Sequence, residues 1–117
     1  MLGVSGSEIV KLTELEPQFL KRIDDSHFRH VDTLSEADGV EFLCPGCFTK
    51  NGGAIGTHGV LCWQPDIPQT TSPTPGRWPM SGRGYSDLTL TPSVQLTCDE
   101  GCCGWHGFIT NGEVTSC

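Results

Sequence analysis

Cys44-Pro45-Gly46-Cys47 and Cys103-Gly104-Trp105-His106 each set two metal-ligand side chains three positions apart, and 55 residues separate the pairs. Each pair reads as a zinc knuckle, a tight turn at the end of a strand whose two side chains converge on one ion. Pro45 fixes φ, and Gly46 lets the backbone turn so that its N–H groups point at sulfur; Gly104 can do the same in the second turn. Two such turns complete a tetrahedral site of three cysteines and one histidine, closed as structural zinc sites are. An ion joining segments this far apart removes loop-closure entropy from the unfolded chain. Its binding then contributes folding free energy on the order of 10 kcal/mol at neutral pH. The spacing predicts a structural Zn2+ on Cys44, Cys47, Cys103 and His106.

Other residues compete for the ion. Cys98 and Cys102 form a rival pair to Cys103 and His106, and Cys62 or His58 can enter the sphere instead. Cys62, inside an apolar run, reads better as a small buried hydrophobe. His58 reads as a hydrogen-bonded structural histidine, His27 and His30 as solvated side chains, and Cys117 as an exposed thiol.

The seven cysteines are an odd number, and the first fifteen residues lack a basic segment followed by an apolar core. No run approaches membrane-spanning length. The expectation is therefore a reducing cytoplasm, where a cysteine cluster binds metal more often than it forms disulfides. With 15 Gly, 8 Pro and 36% hydrophobic residues, the chain has a thin core that a metal staple would support. The fold class is mostly β: a small zinc-ribbon-like domain with a long Pro/Gly-rich loop and a short N-terminal helical segment. Residues 1–39 are expected to pack on a zinc-binding β domain of residues 40–117, as one folding unit. The net charge of −7 argues against a nucleic-acid partner, because Lys11, Lys21, Arg22 and Arg29 sit among acids instead of forming a basic stripe. It suits solubility, or attraction to a basic protein.

Along the chain, residues 8–15 suggest a strand. Pro17 followed by Phe19, Leu20 and Ile23 suggests a short helix. Residues 35–38 before Gly39 suggest one helical turn with a glycine stop. Residues 40–43 and 58–63 read as antiparallel strands around a glycine-rich bend at 51–56. Residues 64–84 hold five prolines and read as a surface loop, with Trp78 folding back as an anchor. Two short strands, 88–90 and 94–96, are broken at Pro92. The chain closes on a hairpin whose Asn111-Gly112 tip suits a type I′ turn.

A four-ligand site leaves no open metal position, and the chain has no Walker loop, His-Glu-x-x-His, nucleophile elbow or zinc-deaminase motif. A catalytic variant would need three protein ligands, a bound water, and Asp99, Glu100 or His58 as base. A Cys102 or Cys103 nucleophile beside His106 would be poorly placed on a knuckle. The residues favour a non-enzymatic reading.

The run 42–48 (FLCPGCF), Asn51-Gly52-Gly53, Gly56-Thr57-His58, Cys62-Trp63, residues 75–78 (PGRW), residues 87–90 (DLTL), Ser93-Val94, residues 103–107 (CGWHG) and Asn111-Gly112 together resemble a family of small zinc-binding proteins of tailed phages, prophages and bacteria. Some of these have carried an ammonia monooxygenase label, which a chain without membrane spans or copper- or iron-type ligands does not fit. Broader relatives keep a Cys-Pro-x-Cys start and a Cys-x-x-His near the end, and some lie beside bacterial ubiquitin-like conjugation genes. The resemblance covers nearly the whole chain. It implies Cys44, Cys47, Cys103 and His106 as metal residues, with Cys98 and Cys102 as local additions. The function expected from it is a phage-derived structural-zinc accessory in the bacterial cytoplasm. It would act by binding a protein of host defence or metabolism through Trp63, Trp78, Tyr85 and Trp105. The alternatives are a metal-dependent hydrolase or modifying enzyme, and a minor virion component.

Overall fold

The computed structural model describes residues 9–74, 76–95 and 104–116. Two antiparallel sheets carry the fold. One has the order β1 (Ile9–Lys11), β9 (Glu113–Ser116), β8 (His106–Thr110), β7 (Thr89–Gln95), β6 (Met80–Ser81). The other runs β3 (His27–Val31), β2 (Gln18–Asp24), β4 (Gly39–Leu43), β5 (Gly59–Trp63). The one α-helix among the described residues is α1 (Pro45–Asn51), and 3-10 turns lie at Leu12–Leu15, Leu34–Glu36 and Tyr85–Asp87. The mostly β class, with a long Pro/Gly-rich loop, is as the composition predicts.

The sheets share one core. Phe19, Val40, Phe42, Val60 and Cys62 from one meet Leu90, Val94, Ile109 and Val114 from the other. Alternation accounts for the inward sets: β8 buries Gly107 and Ile109 and turns His106, Phe108 and Thr110 outward. Residues before position 40 take part in both sheets, since β1 pairs with β9 while β2 sits between β3 and β4.

The N-terminal helix expected at Pro17 is instead the strand β2. Its adjacent apolar pair is buried on both sides of the sheet, Phe19 in the shared core and Leu20 against Trp63 and Ile67. A strand covered on both faces loses its alternation, and the run then mimics helical spacing. The helical turn expected near residue 35 is present as the 3-10 turn Leu34–Glu36. In place of two strands broken at Pro92, the described residues hold one strand, β7, which runs through Pro92 with a register shift between Leu90 and Val94; Leu96 lies outside the described residues. A proline has no N–H for the ladder, so the irregularity falls where the break was expected. Asn111 (φ 52°) and Gly112 (φ 75°) turn the final hairpin as predicted. That tip is gripped from two sides, Leu12 N–H donating to Gly112 O and Gly112 N–H to Leu88 O, each at 2.9 Å.

The described part of the Pro-rich loop, 64–74 and 76–79, covers the outer face of β2 and β5 through Ile67, which packs on Leu20 and Trp63. Trp63 Nε1 donates to Ser72 O at 2.9 Å, and Trp78 N–H returns the chain to Trp63 O at 2.9 Å. Trp78 is a half-buried anchor, as expected.

Candidate functional site

Two constellations lie in this frame. The first starts at Cys44, the last residue before α1. Pro45 takes the first helical position, where its missing N–H costs nothing. Phe48 N–H then closes the first turn on Cys44 O at 2.8 Å. The expected knuckle is thus the start of a helix, with Cys47 on its first turn. The β4–β5 ladder pairs Leu43 with Gly59, and one step further Cys44 N–H donates to His58 O at 2.8 Å. His58 is carried alongside Cys44 by that register.

The Sγ atoms of Cys44 and Cys47 and a ring nitrogen of His58 lie within 4.8 Å of one another. Cys44 and Cys47 are buried. The His58 ring adds a second observation: Nδ1 lies 3.3 Å from Gly59 O, while Nε2 is buried and has no hydrogen-bond partner among the described residues. A proton on Nδ1 donated to that carbonyl leaves the Nε2 lone pair available, the arrangement a metal-ligating histidine adopts. A buried polar atom otherwise left unsatisfied costs roughly 1–3 kcal/mol. Two thiols and an imidazole fit a zinc-type ion by donor chemistry and by reach. Cys62 is separate: burial pushes its thiol up to about 12, so it stays a neutral core side chain.

The expected quartet is only partly visible. Cys44 and Cys47 are together, Cys103 lies outside the described residues, and so do the rivals Cys98 and Cys102, the terminal Cys117, and the candidate bases Asp99 and Glu100. His58, read from sequence as a rival, stands in the group. His106 is not in that three-residue group. Its Nε2 lies 2.9 Å from Ser93 Oγ.

That contact is the second constellation. Ser93 sits on β7 at the irregular stretch, and His106 opens β8, where it pairs with Gln95. Both are half-buried. With the proton on His106 Nδ1, Ser93 O–H donates to Nε2, the geometry of a serine nucleophile and its general base. Sequence reasoning missed Ser93. Pro92 inside an otherwise regular strand was the available signal, because it marks the place where the ladder opens.

Of the aromatic residues expected to face a partner, Trp63 and Trp105 are buried, with Trp105 Nε1 donating to Ser116 Oγ at 2.8 Å. Tyr85 stacks on Phe19 and its hydroxyl accepts from Phe19 N–H. Trp78 Nε1 donates to Ser93 O at 3.2 Å. Among the described residues no helix is long and apolar enough to cross a membrane.

The family model described as "Bacterial ubiquitination-like system serine protease (BubE)" matches residues 14–117. No significant match was found among curated proteins or among solved structures. The match falls on the bacterial conjugation side of the resemblance. It lends no support to a phage origin or to a non-catalytic accessory role, and it agrees with the alternative of a metal-dependent hydrolase or modifying enzyme only in part, since it is a serine protease family.

Proposed function

From the premise that this chain belongs to the family of bacterial ubiquitination-like system serine proteases, we propose that it is a serine hydrolase in which Ser93 is the nucleophile and His106 the general base. The observation that carries this reading is the 2.9 Å contact between Ser93 Oγ and His106 Nε2, on the outward face of the sheet. Ser93 Oγ attacks the carbonyl carbon of an amide in a protein of such a conjugation system, and its proton passes to Nε2. The imidazolium then gives that proton to the departing amine as the C–N bond breaks. Water, deprotonated by the same nitrogen, releases the acyl group and restores the serine. Phe108, 46% exposed and next outward along β8 from His106, offers an apolar surface beside the reacting atoms.

In the same reading Cys44, Cys47 and His58 hold a structural Zn2+, with Cys103 as the fourth ligand expected from its spacing. That assignment releases His106 from the metal sphere to act as a base. It is supported by the Nε2 of His58, which has no hydrogen-bond partner among the described residues, and by the separate engagement of His106. The ion's part is to tie α1 to the start of β5.

A fluorophosphonate probe tests the proposal. Wild-type protein is expected to be labelled at Ser93, as located by peptide mass spectrometry. Ser93→Ala is expected to lose labelling entirely, and His106→Gln to slow it by about a hundredfold or more, with the fold retained in both. Labelling at another residue, or none in folded wild-type protein, refutes the dyad.

A further inference from the structure

Loop 64–79 is more organised than its composition suggests, and its organisation leads to Ser93. The Arg77 guanidinium donates to the backbone oxygens of Ile67, Pro68, Thr71, Pro73 and Gly76 at 2.5–2.9 Å. One planar fork therefore gathers the turns of a segment that has no ladder of its own. On its far side Thr71, 2% exposed, is hydrogen-bonded to Asp25 and Arg22 of the β2–β3 hairpin. At its end Trp78 N–H is held by Trp63 O, so the position of the indole is set by the body of the protein.

The indole reaches the stretch of β7 between its register pairs with β8. Register pairs with β8 are made at Leu90 and again at Val94, and Ser93 lies between them. Trp78 Nε1–H donates to Ser93 O at 3.2 Å. This bond fixes the peptide plane that leaves Ser93, and with it the direction of the side chain. Gly76 makes room for the ring, because a Cβ there would collide with Cη2 of Trp78.

We propose that Trp78 is a positioning residue for the nucleophile, holding the Ser93 backbone so that Oγ stays in line with His106, with the Arg77-gathered loop as its mount. The inference rests on the Ser93–His106 reading. Trp78 donates to the backbone oxygen of Ser93, so the effect expected of it is on the reactive geometry. A misplacement of about 1 Å at a reacting centre can lower a rate by about a hundredfold.

The test uses fluorophosphonate inactivation kinetics on the full chain, which separate the limiting inactivation rate from the half-saturating probe concentration. Trp78→Phe keeps an aromatic ring and removes the N–H. Gly76→Ala leaves the N–H and displaces the ring. Both are expected to lower the limiting rate by about tenfold or more with the half-saturating concentration and melting temperature nearly unchanged. Wild-type rates in both variants overturn the inference while leaving the dyad intact. A loss of labelling fully accounted for by lost folded protein also overturns it, since the role is then only structural. Failure of wild-type protein to label at Ser93 removes the dyad and this inference together.

Discussion

His58 and His106 resemble each other as sequence, and their surroundings give them different work. His58 enters beside Cys44 by strand register and keeps a buried Nε2 with no hydrogen-bond partner among the described residues, whereas Nε2 of His106 meets a serine hydroxyl. Metal analysis of two variants separates them. His58→Gln is expected to purify with little or no zinc, and His106→Gln with the wild-type content of about one ion per chain. Equal loss from both would return His106 to the metal sphere. Cys44 and Cys47 were legible in the sequence because a Cys-x-x-Cys spacing is itself a local geometry. His58 was less so, since its place depends on Leu43 pairing with Gly59 across a turn. The spacing of Cys103 to His106 matched the first pair, and it drew attention away from the contact of His106 with Ser93.

At the scale of elements, β8 shows how tightly the site's support is packed. Gly107 follows His106 directly, and a Cβ there would run into Thr115 O and the Trp105 ring. Gly107→Ala is expected to destabilise the fold by about 1–3 kcal/mol, read from the urea midpoint. The attachment of loop 64–79 carries a pH dependence. Hydrogen bonds from Thr71, then Arg22 and Thr70, hold the Asp25 carboxyl below its ordinary value. A carboxylate lowered on folding adds stability above its unfolded value, about 3.9, and loses it as the pH falls through the lowered native value. Amide exchange around Thr71 is therefore expected to stay protected at pH 5 and to speed up selectively below about pH 3.9, once intrinsic rates are allowed for. Protection that stays level through that range would show that Asp25 does not hold the loop. The sequence announced β4, β5 and the last hairpin through short apolar runs and an Asn-Gly tip. It disguised β2, whose Phe19 and Leu20 are buried on opposite faces, and it gave no cue that a loop rich in proline would be set by one arginine.

For the molecule as a whole, the two sheets share a core that includes Cys44 and Cys47, so the proposed ion is a staple within a body that already has packing. Chelation by a strong zinc ligand is expected to lower the melting temperature by ten degrees or more, consistent with several kcal/mol of a binding energy on the order of 10 kcal/mol. An unchanged melting curve after verified metal removal would refute the structural role. A mostly β architecture was legible from the abundance of glycine and proline and the shortness of the apolar runs. The division into two sheets was not, because it is made by contacts between distant segments. The pairing of Ile9 with Thr115 is the longest of these, and Leu12 reaches Gly112 just beyond it. During synthesis, then, β1 is made long before β9, the strand it pairs with. Ser93 and His106 are both made late in that interval, so the proposed catalytic pair is complete only shortly before β1 can find its place.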